Sequence, residues 1–398
     1  MNDSRAKKAW GIVFVIFLAG IAMAWSQNKV IPIIADIMNI FHVNKTSAGW
    51  LSSIFCVTGI IIAIPAGWFL KRIGLKKSGL LAIAIAFFGA IVGLIAPSFE
   101  LLMFSRVIEG VGVGMISVVA PSAIAMWFPP EKRGLPMGIW GSWQMVAQGG
   151  NFFFAIVLTA SFGWKGMWYF GLILLAAAAV LYLFVVDVPK ASENYAPIES
   201  ADIDMLKGLR VLNPWLLSLG GMLFSFVYFG WCTWVAQYWI QELHVQESLA
   251  NTYLGYMCIL EIPVVLVMGY TLDHLKNRKT MAAVSSLAYI VILFFSYRLG
   301  GAQWILPFII IYPIVEGGIP TFLWTVVAET YENPNNSGLA LAILTIGMNL
   351  GTVLGPPFMG FIIENFGWKQ ATLPLIFGML LSLLCMMKVN LYQSRRNQ

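Results

Sequence analysis

Apolar runs long enough to cross a bilayer recur from one end of this sequence to the other, and they constrain its fold more than any motif does. They fall at about 10–34, 47–69, 79–97, 100–127, 136–160, 167–187, 214–240, 250–271, 280–298, 303–328, 338–363 and 370–390. A hydrocarbon core about 30 Å thick takes roughly 20 residues of helix. Inside lipid the backbone must satisfy its own hydrogen bonds, so spanning segments are helices or the strands of closed barrels, and runs of this length are helices. The predicted fold is an all-α membrane protein with twelve transmembrane helices. Only 11% of the residues are charged and the mean hydropathy is +0.81. Soluble domains carry about 25% charged residues, so this chain could not hide its apolar surface as a soluble monomer.

The first run opens like a secretory signal, with RAKKAW before an apolar stretch and Ala22-Met23-Ala24 after it. The apolar character resumes past Trp25 through Ile34, so the segment reads as the first span. Cys56, Cys232, Cys258 and Cys385 all stand inside apolar runs and read as buried free thiols. His42, His244 and His274 fall in loops or at helix ends. No metal-binding spacing, phosphate loop or nucleophile elbow is present, so the expectation is a non-enzyme with no cofactor and no metal.

Orientation follows from Lys and Arg, which are enriched in cytoplasmic loops. With the N-terminus cytoplasmic, eighteen of the 24 basic residues fall on that side. They are Arg5, Lys7, Lys8, Lys71, Arg72, Lys76, Lys77, Lys132, Arg133, Lys190, Lys207, Arg210, Lys276, Arg278, Lys279, Lys388, Arg395 and Arg396. Lys45, Lys165, Arg298 and Lys369 fall outside, and Lys29 and Arg106 lie within spans. This bias requires an even number of spans and puts both termini in the cytoplasm. It also accounts for the net charge of +6 without a nucleic-acid partner. The expected setting is a bacterial inner membrane, with lipid as solvent and the chain working as a monomer.

A four-residue word, Phe-Gly-Trp-Lys, occurs in SFGWKGMW (Ser161–Trp168) and again in NFGWKQAT (Asn365–Thr372), 204 positions later. GWFLKRIGLKK (Gly67–Lys77) pairs with GYTLDHLKNRK (Gly269–Lys279), and PEKRGLPMGIW (Pro130–Trp140) with PNNSGLALAIL (Pro334–Leu344), at nearly the same offset. The chain is therefore two parallel six-helix repeats, 1–187 and 214–398, joined by a polar linker at 188–213. Internal repeats of this kind mark transporter folds. The repeated word reads as a tight external hairpin, with its Trp at the lipid interface and its Lys in water.

GWFLKRIGLKK resembles the signature between helices two and three of the major facilitator superfamily. RVIEGVGVG (Arg106–Gly114) resembles that superfamily's helix-four signature, and WFPPEKRGLPMGIWGS its helix four-to-five loop. Within the superfamily the N-terminal half is most similar to cyanate-permease-type and related small-anion carriers. The resemblance implies two pseudo-symmetric six-helix bundles around a central cavity that opens alternately to either side. It also implies structural or gating roles for Gly67, Lys71, Arg72, Gly74, Arg106 and Glu109. Lys71 stands where the signature normally has an acid, and the second-half copy has Asp273, so an acid latch would lie in the second half.

Ionisable residues inside spans cost free energy and are functional candidates. Glu316 lies midway through span ten among Pro313, Gly317, Gly318 and Pro320, where the helix should break. Glu261 lies at the middle of span eight. Both are candidates for a proton or substrate site, against the plainer reading of a protonated side chain bonded to a neighbour. Lys29, with Gln27 and Asn28, forms a polar cluster in span one that suits an anion, unless the lysine snorkels to the surface. Arg106 and Glu109, three apart on span four, suit a structural pair beside a glycine face. Uncharged stripes add Trp140, Gln144, Gln148 and Asn151 on span five, and Thr345, Asn349 and Thr352 on span eleven. Tyr312 shares a face with Glu316, and Tyr253 and Met257 share one with Glu261. Trp231, Trp234 and Tyr238 form an aromatic face on span seven, for which packing is the plainer reading.

These features predict a secondary transporter of a small organic or inorganic anion, probed by Lys29 on one half and coupled to protons through Glu316 and Glu261 on the other. Two other readings compete. One is a proton-coupled exporter of amphipathic cations or drugs, which the acids and aromatics suit. The other is a membrane receptor that does not transport, against which no soluble output domain is visible.

Overall fold

The structure, a computed structural model, describes residues 3–129, 132–189, 194–195, 208–275, 277–332 and 336–392. Most of the polar linker lies outside these residues, including Lys190, Glu193, Glu199, Asp202, Asp204 and Lys207. So do Lys276, Arg395 and Arg396. The described residues are helical or irregular, with no strand.

Among the described residues, eleven apolar stretches of helix are long enough to cross a membrane, and one of them, Gly134–Val185, runs to 52 residues. That is more than twice a bilayer crossing at 1.5 Å per residue. It turns back at Gly163, which gives twelve spans. By contacts the chain divides into two compact units, Met1–His42 with Ile54–Glu199, and Val43–Ser53 with Ser200–Gln398.

In the first unit, span one runs Asp3–Asn28 and resumes, after a 3-10 turn at Ile31–Ile33, as Ile34–Phe41. Phe55–Leu94 holds the rest of span two and all of span three. Span four is Phe99–Trp127, started by Ser98, whose Oγ accepts from the Leu101 N–H at 3.4 Å. Span five is Gly134–Gly141 and Trp143–Phe162, and span six is Gly166–Val185. Glycines let span four sit close to its neighbours: a Cβ on Gly112 would lie 2.6 Å from the Ala82 carbonyl, and Gly110 and Gly114 abut Phe55 and Gly59.

In the second unit, spans seven to nine are Leu212–Gln241, Glu247–His274 and Lys279–Ser296. Span ten is broken as its Pro and Gly content predicts, into Ile305–Glu316 and Gly318–Val326. Spans eleven and twelve are Ser337–Phe366 and Trp368–Lys388. The short helix Lys45–Ser53, the start of span two, belongs to this unit by its contacts. Ser53 Oγ donates to the Val353 carbonyl at 2.9 Å, and Gly49 lies against Pro356 and Pro357 with no room for a Cβ.

The repeated word has a backbone cause. Gly163 (φ 59°, ψ −161°) and Gly367 (φ 81°, ψ 172°) end spans five and eleven in a region that only glycine occupies freely. Gly74 of the Gly67–Lys77 signature does the same between spans two and three (φ 80°, ψ 170°). The word's tryptophans are not lipid anchors, as expected above, but buried: Trp164 packs on Trp168 and Phe41, and Trp368 on Tyr238 and Tyr297. Lys165 and Lys369 are exposed, as predicted. The outward faces of the spans carry exposed Phe184, Leu266 and Tyr270, surface suited to lipid.

Candidate functional site

Each unit buries one cluster of ionisable side chains. The first grows from the break in span one. Pro32 has no N–H to return to the preceding turn, so the helix ends at Asn28. The carbonyls of Ser26 and Gln27 are taken up instead by Arg106 from span four, Nη2 meeting the Gln27 oxygen at 2.6 Å and Nη1 meeting that of Ser26. A guanidinium at a helix C-terminus also suits the helix dipole. Arg106 Nη1 pairs in addition with Glu109 Oε2, and Lys29 Nζ meets Glu109 Oε1 at 2.6 Å. All three side chains are buried, and the Lys29 ammonium lies 4.3 Å from the Trp168 ring centre. Lys29 therefore does not snorkel. The Arg106–Glu109 pair expected from spacing is present, but it is part of a triad with two cations and one carboxylate.

Around this triad, Gln144 reaches Gln27 across a long 3.5 Å contact, and Asn151 donates to the Ala147 carbonyl at 3.0 Å. Gln148 is buried on the same helix. Trp140 stacks on Trp143, with centroids 4.9 Å apart.

The second cluster contains Glu261 and Glu316, both buried and within electrostatic reach of each other. Tyr228 Oη donates to Glu261 Oε1 at 3.3 Å. The spacing Tyr228–Trp231–Cys232 sets three side chains on one face of span seven, and Cys258 and Glu261 share a face of span eight. Both thiols face the same region as Tyr228. One turn before Glu316, Tyr312 stacks on Trp231 (4.1 Å, 20°) and shares a 2.6 Å hydroxyl hydrogen bond with Tyr289. Among the described residues, no Lys or Arg pairs with either acid.

Other candidates stand apart from these clusters. Thr345 and Thr352 bond back to their own helix, and Asn349 is half-buried. Trp234 donates to the Pro356 carbonyl and Tyr238 to that of Leu299, which makes the rest of that aromatic face packing. Met257 is buried and Tyr253 lies edge-on to Trp239. Lys71, Arg72 and Asp273 are exposed and Gly67 has open space beside it. The ion pair at that end of the second unit joins Arg278 to Glu329. Sequence reasoning missed Tyr228, Tyr289 and Trp168. Tyr228 had a signal, since it stands three residues before Trp231 and so on the same face. The other two are placed only by packing between spans.

The family model described as Major Facilitator Superfamily matches residues 13–338. An uncharacterised MFS-type transporter of Bacillus subtilis, YcnB, is 28% identical over 59% of this chain, which spans about half (48%) of that relative's length. The hexuronate transporter of the same organism is 22% identical over 89% of this chain and 88% of its own. Among solved structures, a bacterial homologue of the human lysosomal transporter Spinster superposes with a TM-score of 0.81 over 98% of both chains, at 16% identity, a likeness of fold. Twelve apolar spans in two repeated halves, and a family match over most of the chain, lead to one conclusion: this protein is a member of the major facilitator superfamily and a multi-pass membrane protein.

Proposed function

We propose that this chain carries a small organic anion together with protons, by alternating access, across the inner membrane of a bacterium, with both termini in the cytoplasm. The observation that carries the reading is the Glu261–Glu316 pair. Two carboxyls held out of water, within electrostatic reach of each other and with no Lys or Arg paired to either among the described residues, suit groups that take up and release protons as their surroundings change. The triad around Lys29 supports the anion, because two cations against one carboxylate leave a positive surplus in the first unit. The hexuronate transporter is a relative whose name fits an organic acid as cargo. The excess of Lys and Arg on the terminal side supports the orientation.

The rival reading, export of lipophilic cations, is favoured by the Trp231–Tyr312 stack beside the acids, since aromatic faces attract cations. Liposomes holding a pH-sensitive dye separate the two. Small carboxylates added outside should drive proton entry, and Glu316→Gln should abolish it. Proton release on addition of lipophilic cations, with no response to carboxylates, would move the chain to the exporter reading.

A further inference from the structure

We propose that the start of span two is a releasable latch, in which Ser53 switches its hydrogen bond between a span-eleven carbonyl freed by Pro357 and a carbonyl of its own helix. The inference deepens the alternating-access reading above and rests on it. Helix Lys45–Ser53 and span eleven both belong to the second unit. Three residues spaced four apart on the short helix meet span eleven in reversed order: Lys45 at Gly360, Gly49 at Pro356 and Pro357, and Ser53 at Val353. A Cβ on Gly49 would stand 2.6 Å from the Pro356 oxygen and the Pro357 Cα, and one on Gly360 2.6 Å from the Lys45 oxygen. Small residues thus let two backbones touch along an antiparallel seam.

The hydrogen bond at one end of this seam has a cause in the sequence. Pro356 and Pro357 carry no N–H. The Val353 carbonyl therefore loses both the i+4 donor of an α-helix and the i+3 donor of a 3-10 turn. Ser53 Oγ takes their place, donating at 2.9 Å. The same hydroxyl lies 3.1 Å from the Gly49 carbonyl. A serine has one proton to donate, and here it has two acceptors. The Gly49 carbonyl already accepts from Ser52 Oγ at 2.8 Å, so Val353 is the better partner while the seam is closed. When the seam parts, Ser53 turns back to Gly49, and the Val353 carbonyl takes water instead. Neither group is then left unpaired, which keeps the cost of opening low. Span two continues from Ile54 in the first unit. One span is therefore held by both units, and the seam is the end built to let go.

Spin labels on Trp50→Cys and Phe358→Cys, exposed residues on the two helices, read the seam in the full chain in detergent. Cys385→Ser removes the native cysteine that is not buried. A short separation should dominate, beside a longer minority. Ser53→Ala should raise the long-to-short ratio about fivefold, the worth of one hydrogen bond, and Ser52→Ala should leave it unchanged. Gly49→Leu should make the long separation dominant. Pro357→Ala returns an N–H to the Val353 carbonyl, so Ser53→Ala added to it should change the ratio by less than about twofold. Equal effects of the two serine variants, an undiminished effect of Ser53→Ala beside Pro357→Ala, or one short separation in every variant would overturn the latch. If Pro357→Ala does not fold, the two serine variants still decide. A ratio moved by Ser53→Ala, without carboxylate-driven proton entry in liposomes, would keep the latch and sink the anion–proton reading. Carboxylate-driven proton entry beside a ratio that no variant moves would do the reverse.

Discussion

Lys29 and Glu109, 80 positions apart in the sequence, meet at 2.6 Å with both side chains out of reach of solvent. Their inequality is testable. Removing Lys29 leaves a neutral Arg106–Glu109 pair, whereas removing the charge of Glu109 leaves two buried cations facing each other. Breaking a buried pair so that charge is left unbalanced costs about 3–5 kcal/mol. Glu109→Gln should therefore destabilise the protein far more than Lys29→Met, read as unfolding temperature or as folded yield in detergent. Equal losses would mean that the triad is not electrostatically one unit.

Arg106 holds the broken end of span one by a fork of two N–H groups to two successive carbonyls. A lysine has no such fork. Arg106→Lys should keep the charge and lose the bracing, at a cost of about 1–3 kcal/mol. Wild-type thermal stability in Arg106→Lys would show that charge alone suffices there.

Much of this architecture was legible beforehand, and the reason is physical. Span length is set by bilayer thickness, so twelve runs gave twelve spans, and the Pro-Gly cluster around Glu316 foretold the break at Gly317. The Phe-Gly-Trp-Lys words were legible as hairpins because a backbone requirement fixes their glycine. Their tryptophans were misplaced at the lipid surface because an aromatic residue at a span end suits either lipid or a neighbouring ring. Which charges meet could not be read either. Lys29 and Glu109, or Tyr228 and Glu261, come together through packing between spans, and helical period orders residues only along one span.

Tyr228 Oη donates to the Glu261 carboxyl at 3.3 Å. A donor to a carboxylate favours its ionised form. Tyr228→Phe should leave the protein folded and alter the pH profile of carboxylate-driven proton entry. Glu316, Cys232 and Cys258 face the same region, so the control is Cys258→Ala, which should not move the profile. An unmoved profile in Tyr228→Phe would reduce the tyrosine to packing.

At the terminal side, Lys8 Nζ bonds Asp187 Oδ2 at 2.9 Å, and with the Val188 N–H it holds the Asp187 carboxyl below the usual carboxylate range. A depressed carboxyl adds stability above its unfolded value, about 3.9, and loses it as pH falls through the folded value. Both partners are about half exposed, so Asp187→Asn should cost at most about 1 kcal/mol near neutral pH. The gap to wild type should close below about pH 4. A gap that stays constant through that range would place the loss elsewhere than in the ion pair.

Gly163 and Gly367 share a backbone conformation, and that makes the last prediction specific. Nothing lies within 4 Å of a Cβ built on either, so a larger side chain meets no neighbour there. Any cost comes from the backbone alone, with φ positive and ψ near 180°. Asparagine tolerates positive φ mainly in the left-handed helical region, where ψ is about 30–60°, and so gains nothing at these positions. Alanine and asparagine at Gly163 should each cost about 1–3 kcal/mol, with little between them. The same pair of substitutions at Gly367 should behave alike, because the second word repeats the first in conformation as well as in letters. Gly112→Ala should also destabilise, but through contact with the Ala82 carbonyl, so Ala82→Gly cannot relieve it. A marked rescue by asparagine at Gly163 would show that the turn relaxes to the left-handed helical region, and that the repeated glycine reflects preference rather than necessity.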